Sequence, residues 1–117
     1  MTGKIDTLAF TGQSGRSYEF RVYVWQTPLR AVPAVYVVTE RIAEPKQPPA
    51  YKPVFIGNTE NVSRIFSSRP QSRQDCFDLH YANTVAVLVE TDDTRRSAIE
   101  QDLLAALTPP CNGPDPV

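Results

Sequence analysis

The residues of this chain with the most chemical potential are Tyr36, Glu100, Asn112 and the arginines Arg64, Arg69 and Arg73. The three arginines fall within ten residues, opposed there only by Glu60 before Asp75. Clustered guanidinium groups offer planar donors to phosphate oxygens, and the same spacing also suits a solvated helix face. Tyr36 is the polar interruption of an apolar run, Ala34-Val35-Tyr36-Val37-Val38, where a ring serves either the core or a site and its hydroxyl needs a partner. Glu100 lies between Ile99 and Leu103, near the edge of an apolar helical stripe. A carboxylate aimed at a pocket there costs free energy unless satisfied; turned outward it is simply solvated. Asn112 follows Pro109-Pro110-Cys111 and has a plain reading as a terminal cap.

Soft metal ligands are few. Cys76, Cys111 and the single histidine, His80, are at most three, one short of a closed zinc site. The expectation is two free thiols in a reducing compartment and a structural histidine. No phosphate-cradling glycine loop, nucleophile elbow or paired metal-binding histidines occur. The net charge of -1 lacks the basic excess of a non-specific nucleic-acid binder. With 117 residues, 41% hydrophobic and 21% charged, the composition is that of one ordinary globular domain. The chain has neither an apolar run of roughly 18 residues nor a signal-peptide layout, so a cytoplasmic monomer without membrane contact is expected.

The elements that must position these groups follow from periodicity. Residues 4–25 read as a β-hairpin: a turn rich in glycine, then Ser17 to Trp25 alternating, with Tyr18, Phe20, Val22 and Val24 on one face. Pro28 and Pro33 bracket an irregular connection, and residues 34–39 form a central buried strand. Four prolines in residues 43–53 rule out a ladder there and predict a surface loop before a strand over 53–57. A helix is predicted from about Thr59 to Phe66, capped by Asn58 or Thr59, then a short helix over 71–81. A strand over 84–89 follows, and Asp92-Asp93-Thr94 caps a helix from about 94 to 107. The fold class is α+β, a mostly antiparallel sheet flanked by helices. Residues 1–112 make a single domain and 113–117 a disordered tail.

In that order, Ala34-Val35-Tyr36, Phe55-Ile56-Gly57, a following helix with Val62, Arg64 and Phe66, then Arg96 and Glu100, and finally Asn112, resemble the GIY-YIG nuclease superfamily. The motif core covers about 34–112. The likeness is closest to small stand-alone bacterial members that carry an extra N-terminal hairpin and end in Pro-Pro-Cys-Asn. The resemblance implies that fold, and hydrolysis of a DNA phosphodiester with one divalent metal, Mg²⁺ or Mn²⁺. It gives Tyr36 the positioning or deprotonation of the nucleophile, Glu100 the metal, and Asn112 the support of the site.

Three positions depart from the family pattern, the smallest being Ala34 in place of the first motif glycine. Phe55 replaces the second motif tyrosine, keeping the ring without its hydroxyl. Ile65 stands where the family has its phosphate-binding arginine, and Arg64 is one residue early. On an α-helix one residue is a rotation of about 100°, which would direct Arg64 away from the phosphate. The resemblance therefore implies a divergent, nucleic-acid-binding domain in which cleavage is weak or lost, with Arg64, Arg69 and Arg73 as its DNA contacts. A working Mg²⁺-dependent endonuclease and a protein-interaction module on the inherited fold are the alternatives.

Overall fold

The computed structural model describes residues 3–67 and 70–113. The order of elements is β1 (Lys4–Thr11), β2 (Ser17–Val24), β3 (Ala34–Ile42), β4 (Ala50–Thr59), α1 (Gln71–Leu79), β5 (Thr84–Val89) and α2 (Asp93–Leu107). Two 3₁₀ turns, Val62–Arg64 and Pro110–Asn112, complete it. The strands form one antiparallel sheet in the order β1-β2-β5-β3-β4. The predicted α+β class and the N-terminal hairpin are present. The proposed tail beyond Gly113 lies outside the described residues.

The β3 strand is apolar on both faces because both are covered. Val35 and Val37 join Phe20, Val22, Ile56 and Ala86 in a core closed by Leu103, Ile99, Leu104 and Leu107 of α2. Ala34, Tyr36 and Val38 face the other way, toward Phe77 of α1, Cys111, Val62 and Trp25. Trp25 packs edge-to-face on Phe66 and Phe77, with ring centroids 4.8 and 5.8 Å away, which fits its expected role as a packing residue. The sheet curls enough that Tyr51 on one edge strand donates to Asp6 on the other, at 2.9 Å.

Two local expectations are corrected. The proline-rich segment does join the sheet: Ala50 to Pro53 pair with Ile42 to Thr39, with a register shift between Val38 and Thr39. Pro53, the one proline of the segment inside β4, is tolerated because β4 is an edge strand and Pro53 falls at that irregularity, while Pro45, Pro48 and Pro49 stay in the expected loop between β3 and β4. The helix predicted over 59–66 is absent. Asn58 and Thr59 belong to β4, and only a single 3₁₀ turn follows. That turn is held by side chains that compete with helix formation: Asn61 accepts from the Ser63 backbone N–H, and Thr59 Oγ1 accepts from Asn61 N–H.

The hairpin is clamped to α2 by Asp102. Its carboxylate accepts from the Ser14 backbone N–H at 2.8 Å, from Ser14 Oγ at 2.6 Å and from the Tyr18 hydroxyl at 2.7 Å. Glycine at position 12 leaves the room, since a Cβ there would stand 2.2 Å from Asp102 Oδ2. The Ser14 and Tyr18 hydrogen bonds hold the Asp102 pKa below the usual carboxylate range. A pKa depressed in the folded state adds stability above the unfolded-state value, lost as pH falls through the folded one. Asp102→Asn is expected to lower the melting temperature at neutral pH. Its deficit against wild type should shrink as pH falls through that depressed value; a constant deficit across the acid range would argue against a carboxylate clamp.

Candidate functional site

Tyr36 on β3 pairs across the sheet with Gly57 on β4. Its ring lies directly over the glycine: a Cβ at position 57 would stand 2.3 Å from Tyr36 Cζ and 2.5 Å from the hydroxyl oxygen. The glycine of the motif is thus required by close approach of a ring. Phe55, two residues back on the same face of β4, places its centroid 6.0 Å from Tyr36 and 5.6 Å from Phe77. The Arg73 guanidinium carbon stands 4.5 Å from the Phe55 centroid, a cation–π distance. Phe55 therefore acts as a platform that steers an arginine, a role needing a ring and no hydroxyl.

Beside this pair is a cavity of about 270 Å³. Its polar lining is Tyr36, Asn58, Thr59, Arg64 and Arg73; its apolar lining is Trp25, Val38, Ile65 and Phe77. Among the described residues, two arginines and no acidic residue line it, so the cavity favours an anion. Arg64 corrects its expectation: it lines the same cavity as Tyr36, and Ile65 lines it too. The α-helical rotation that would have turned Arg64 away does not apply, because residues 62–64 form a 3₁₀ turn tied back through Val62 N–H to the Val32 carbonyl. Arg73 arrives from α1. Arg69 lies outside the described residues.

Glu100 is outside this lining. It projects from α2, which covers the opposite face of the sheet from Tyr36. The link between them is Asn58 at the end of β4, which lines the cavity and donates from Nδ2 to Glu100 Oε1 at 3.5 Å. The Asn58 Oδ1 accepts from Nε of Arg96. Arg96 is 4% exposed and also donates to the Glu90 carbonyl at 3.1 Å and to Asp93 at 2.6 Å. Burial pushes the Glu100 carboxyl above its ordinary pKa, partly offset by the Asn58 hydrogen bond.

Asn112 is committed to the backbone. Its side-chain oxygen accepts from Ile56 N–H and its amide donates to the Ile56 carbonyl, both at 2.8 Å. On the free edge of β4 this amide supplies the two hydrogen bonds a further strand would make. It fixes the strand between Phe55 and Gly57. The expectation of free thiols is overturned: Cys76 and Cys111 form a disulfide, S–S 2.07 Å, tying α1 to the turn that carries Asn112. Docking of the chain's end against α1, invisible in sequence spacing, brings the two cysteines together.

Comparison with protein-family models, with curated proteins and with solved structures finds no match for this chain. The site's own geometry limits what it can do. That geometry does not suit a catalytic divalent ion. Mg²⁺ is held by one or two carboxylates together with substrate phosphates. Here the one candidate carboxylate, Glu100, lies outside the cavity lining, and its partner Asn58 is shared with Arg96.

Asn58 and Arg96 are the functional residues least visible in sequence. Asn58, after Gly57, reads equally well as a helix cap, and nothing in the sequence shows what Arg96 holds. Burial distinguishes Arg96, and the paired hydrogen bonds to Arg96 and Glu100 distinguish Asn58; both are properties of the fold.

Proposed function

We propose that this chain is a divergent nucleic-acid-binding domain of GIY-YIG type in which metal-dependent phosphodiester cleavage is weak or lost. The observation that carries the reading is the cavity lined by Arg64, Arg73, Tyr36 and Asn58, with no acidic residue in its lining among the described residues. Two guanidinium groups can grip a backbone phosphate with directional, charge-assisted hydrogen bonds, and Trp25 and Tyr36 offer ring surface to an adjacent nucleotide. The net charge of -1 confines attraction to this locus and predicts modest, salt-sensitive affinity.

The reading is tested with fluorescent single- and double-stranded DNA at several salt concentrations. Arg64→Ala and Arg73→Ala should each weaken binding and lower the slope of log K against log salt by about 1. Plasmid incubated with Mg²⁺ or Mn²⁺ should be nicked no faster by wild type than by Glu100→Ala. Metal-dependent nicking that Glu100→Ala abolishes would replace this reading by that of an active endonuclease. Folded protein that binds no DNA, with both arginine variants indistinguishable from wild type, would leave protein interaction as the function of the fold.

A further inference from the structure

We propose that Cys76, His80 and Cys111 form a redox-gated binding site for a thiophilic divalent cation of the zinc class, open when the Cys76–Cys111 disulfide is reduced. Cys76 and His80 are four residues apart on α1 and its C-terminal cap, so their side chains share one helix face. Cys111 reaches the same point from the 3₁₀ turn Pro110–Asn112 and is buried. One ligand atom from each residue lies within 4.8 Å of the other two. Donors around tetrahedral zinc stand roughly 3.3–3.8 Å apart, so opening the S–S bond and small side-chain rotations suffice to surround an ion.

The donor set decides the class of ion. Two thiolates and an imidazole are borderline-soft ligands that select zinc over magnesium or calcium. The thiolates also neutralise a dication, so the site needs no carboxylate. Three protein ligands leave one coordination position, the arrangement of an open rather than a closed zinc site. His80 also lines a surface groove of about 360 Å³ with Glu40, Lys52 and Pro53, which gives that position access to water or to a small ligand.

The chemistry balances with a dithiol as reductant. The dithiol passes two electrons and two protons to the S–S bond, giving two cysteine thiols and its own cyclic disulfide. Binding M²⁺ then releases the two thiol protons. Oxidation by a peroxide reverses the cycle, ejecting the ion and reforming the S–S bond. In either state Cys111 stays tethered to α1, so Asn112 keeps its hold on Ile56 and the sheet edge is preserved.

The probe is Co²⁺, added anaerobically to protein reduced with dithiothreitol and desalted, with far-ultraviolet circular dichroism in parallel. The expected result is a one-equivalent thiolate-to-cobalt charge-transfer band with tetrahedral d–d absorption, displaced by Zn²⁺ and absent from the oxidised protein. Cys111→Ser should abolish the band. His80→Ala, which leaves the disulfide intact for folding, should weaken Co²⁺ binding by at least about tenfold after reduction, the loss that even an outer-shell partner commands. Should the reduced chain unfold, recovery of structure on adding Co²⁺ supports the site. Three results overturn it: a folded reduced protein without the band, a reduced chain that Co²⁺ does not refold, or a His80→Ala variant that binds as tightly as wild type.

Discussion

Gly57→Ala is expected to weaken DNA binding about tenfold, equivalent to about 1.4 kcal/mol, and to lower stability by about 1–3 kcal/mol. The added methyl would stand 2.3 Å from Tyr36 Cζ, closer than any real contact. The clash falls on the far end of a side chain, so the ring swings while the β3–β4 ladder holds. The ring is not free to swing without loss, because it packs toward Phe55 at 6.0 Å and lines the cavity with Arg64 and Arg73. Tyr36 would either fill the space meant for the ligand or abandon its place in the wall. A double-mutant cycle with Tyr36→Ala isolates the cause: the glycine substitution should cost little once the ring is gone. An equal cost in both backgrounds would place the glycine requirement elsewhere in β4.

Arg96→Ala should destabilise the fold by about 2–4 kcal/mol, through unpaired acceptors and lost packing of the buried side-chain stem. At 4% exposure, its guanidinium holds three elements together: Asn58 at the end of β4, the Glu90 carbonyl after β5, and Asp93 in the first turn of α2. Removal leaves Asn58 Oδ1 and the Glu90 carbonyl without this donor. Arg96→Lys should recover only part of the loss, since an ammonium cannot reproduce a planar fork directed at three acceptors. Denaturant unfolding measures the stability change, and the Asn58 side-chain amide resonances report whether its orientation survives. A loss below about 1 kcal/mol would mean that the pairings exchange readily with water. Because Asn58 also lines the cavity, the same variant should weaken DNA binding without touching a cavity-lining residue.

The contrast between the two arginines of the cavity shows what pattern reading misses. On an α-helix Arg64 would point away from the phosphate, but that helix does not form. Thr59, Asn61 and Ser63 satisfy one another's polar groups locally, and the chain takes a 3₁₀ turn in which α-helical rotation has no meaning. Arg73 appeared only as a member of a charged run. Its role comes from the docking of α1, which brings it over the ring of Phe55. Phe55 has no hydroxyl to offer, but in three dimensions its phenyl ring has a cation to hold.

The sequence by itself determined the hairpin, the central strand, the strand over 84–89 and the last helix. The hairpin carries an alternating period, the strands over 34–39 and 84–89 are continuous apolar runs, and Asp92-Asp93-Thr94 marks the start of the last helix. It also marked Tyr36 as a polar group inside an apolar run and Glu100 at the margin of a stripe. Only the tertiary structure decided what those groups meet. Tyr36 and Glu100 lie on opposite faces of one sheet, joined through Asn58; Asn112 spends its amide on Ile56; and Cys76 finds Cys111. Periodicity encodes which side of an element is buried, because that is a local average over many residues. Which individual atoms converge depends on the relative placement of elements, set by packing across the whole core and left unrecorded by any short stretch of chain.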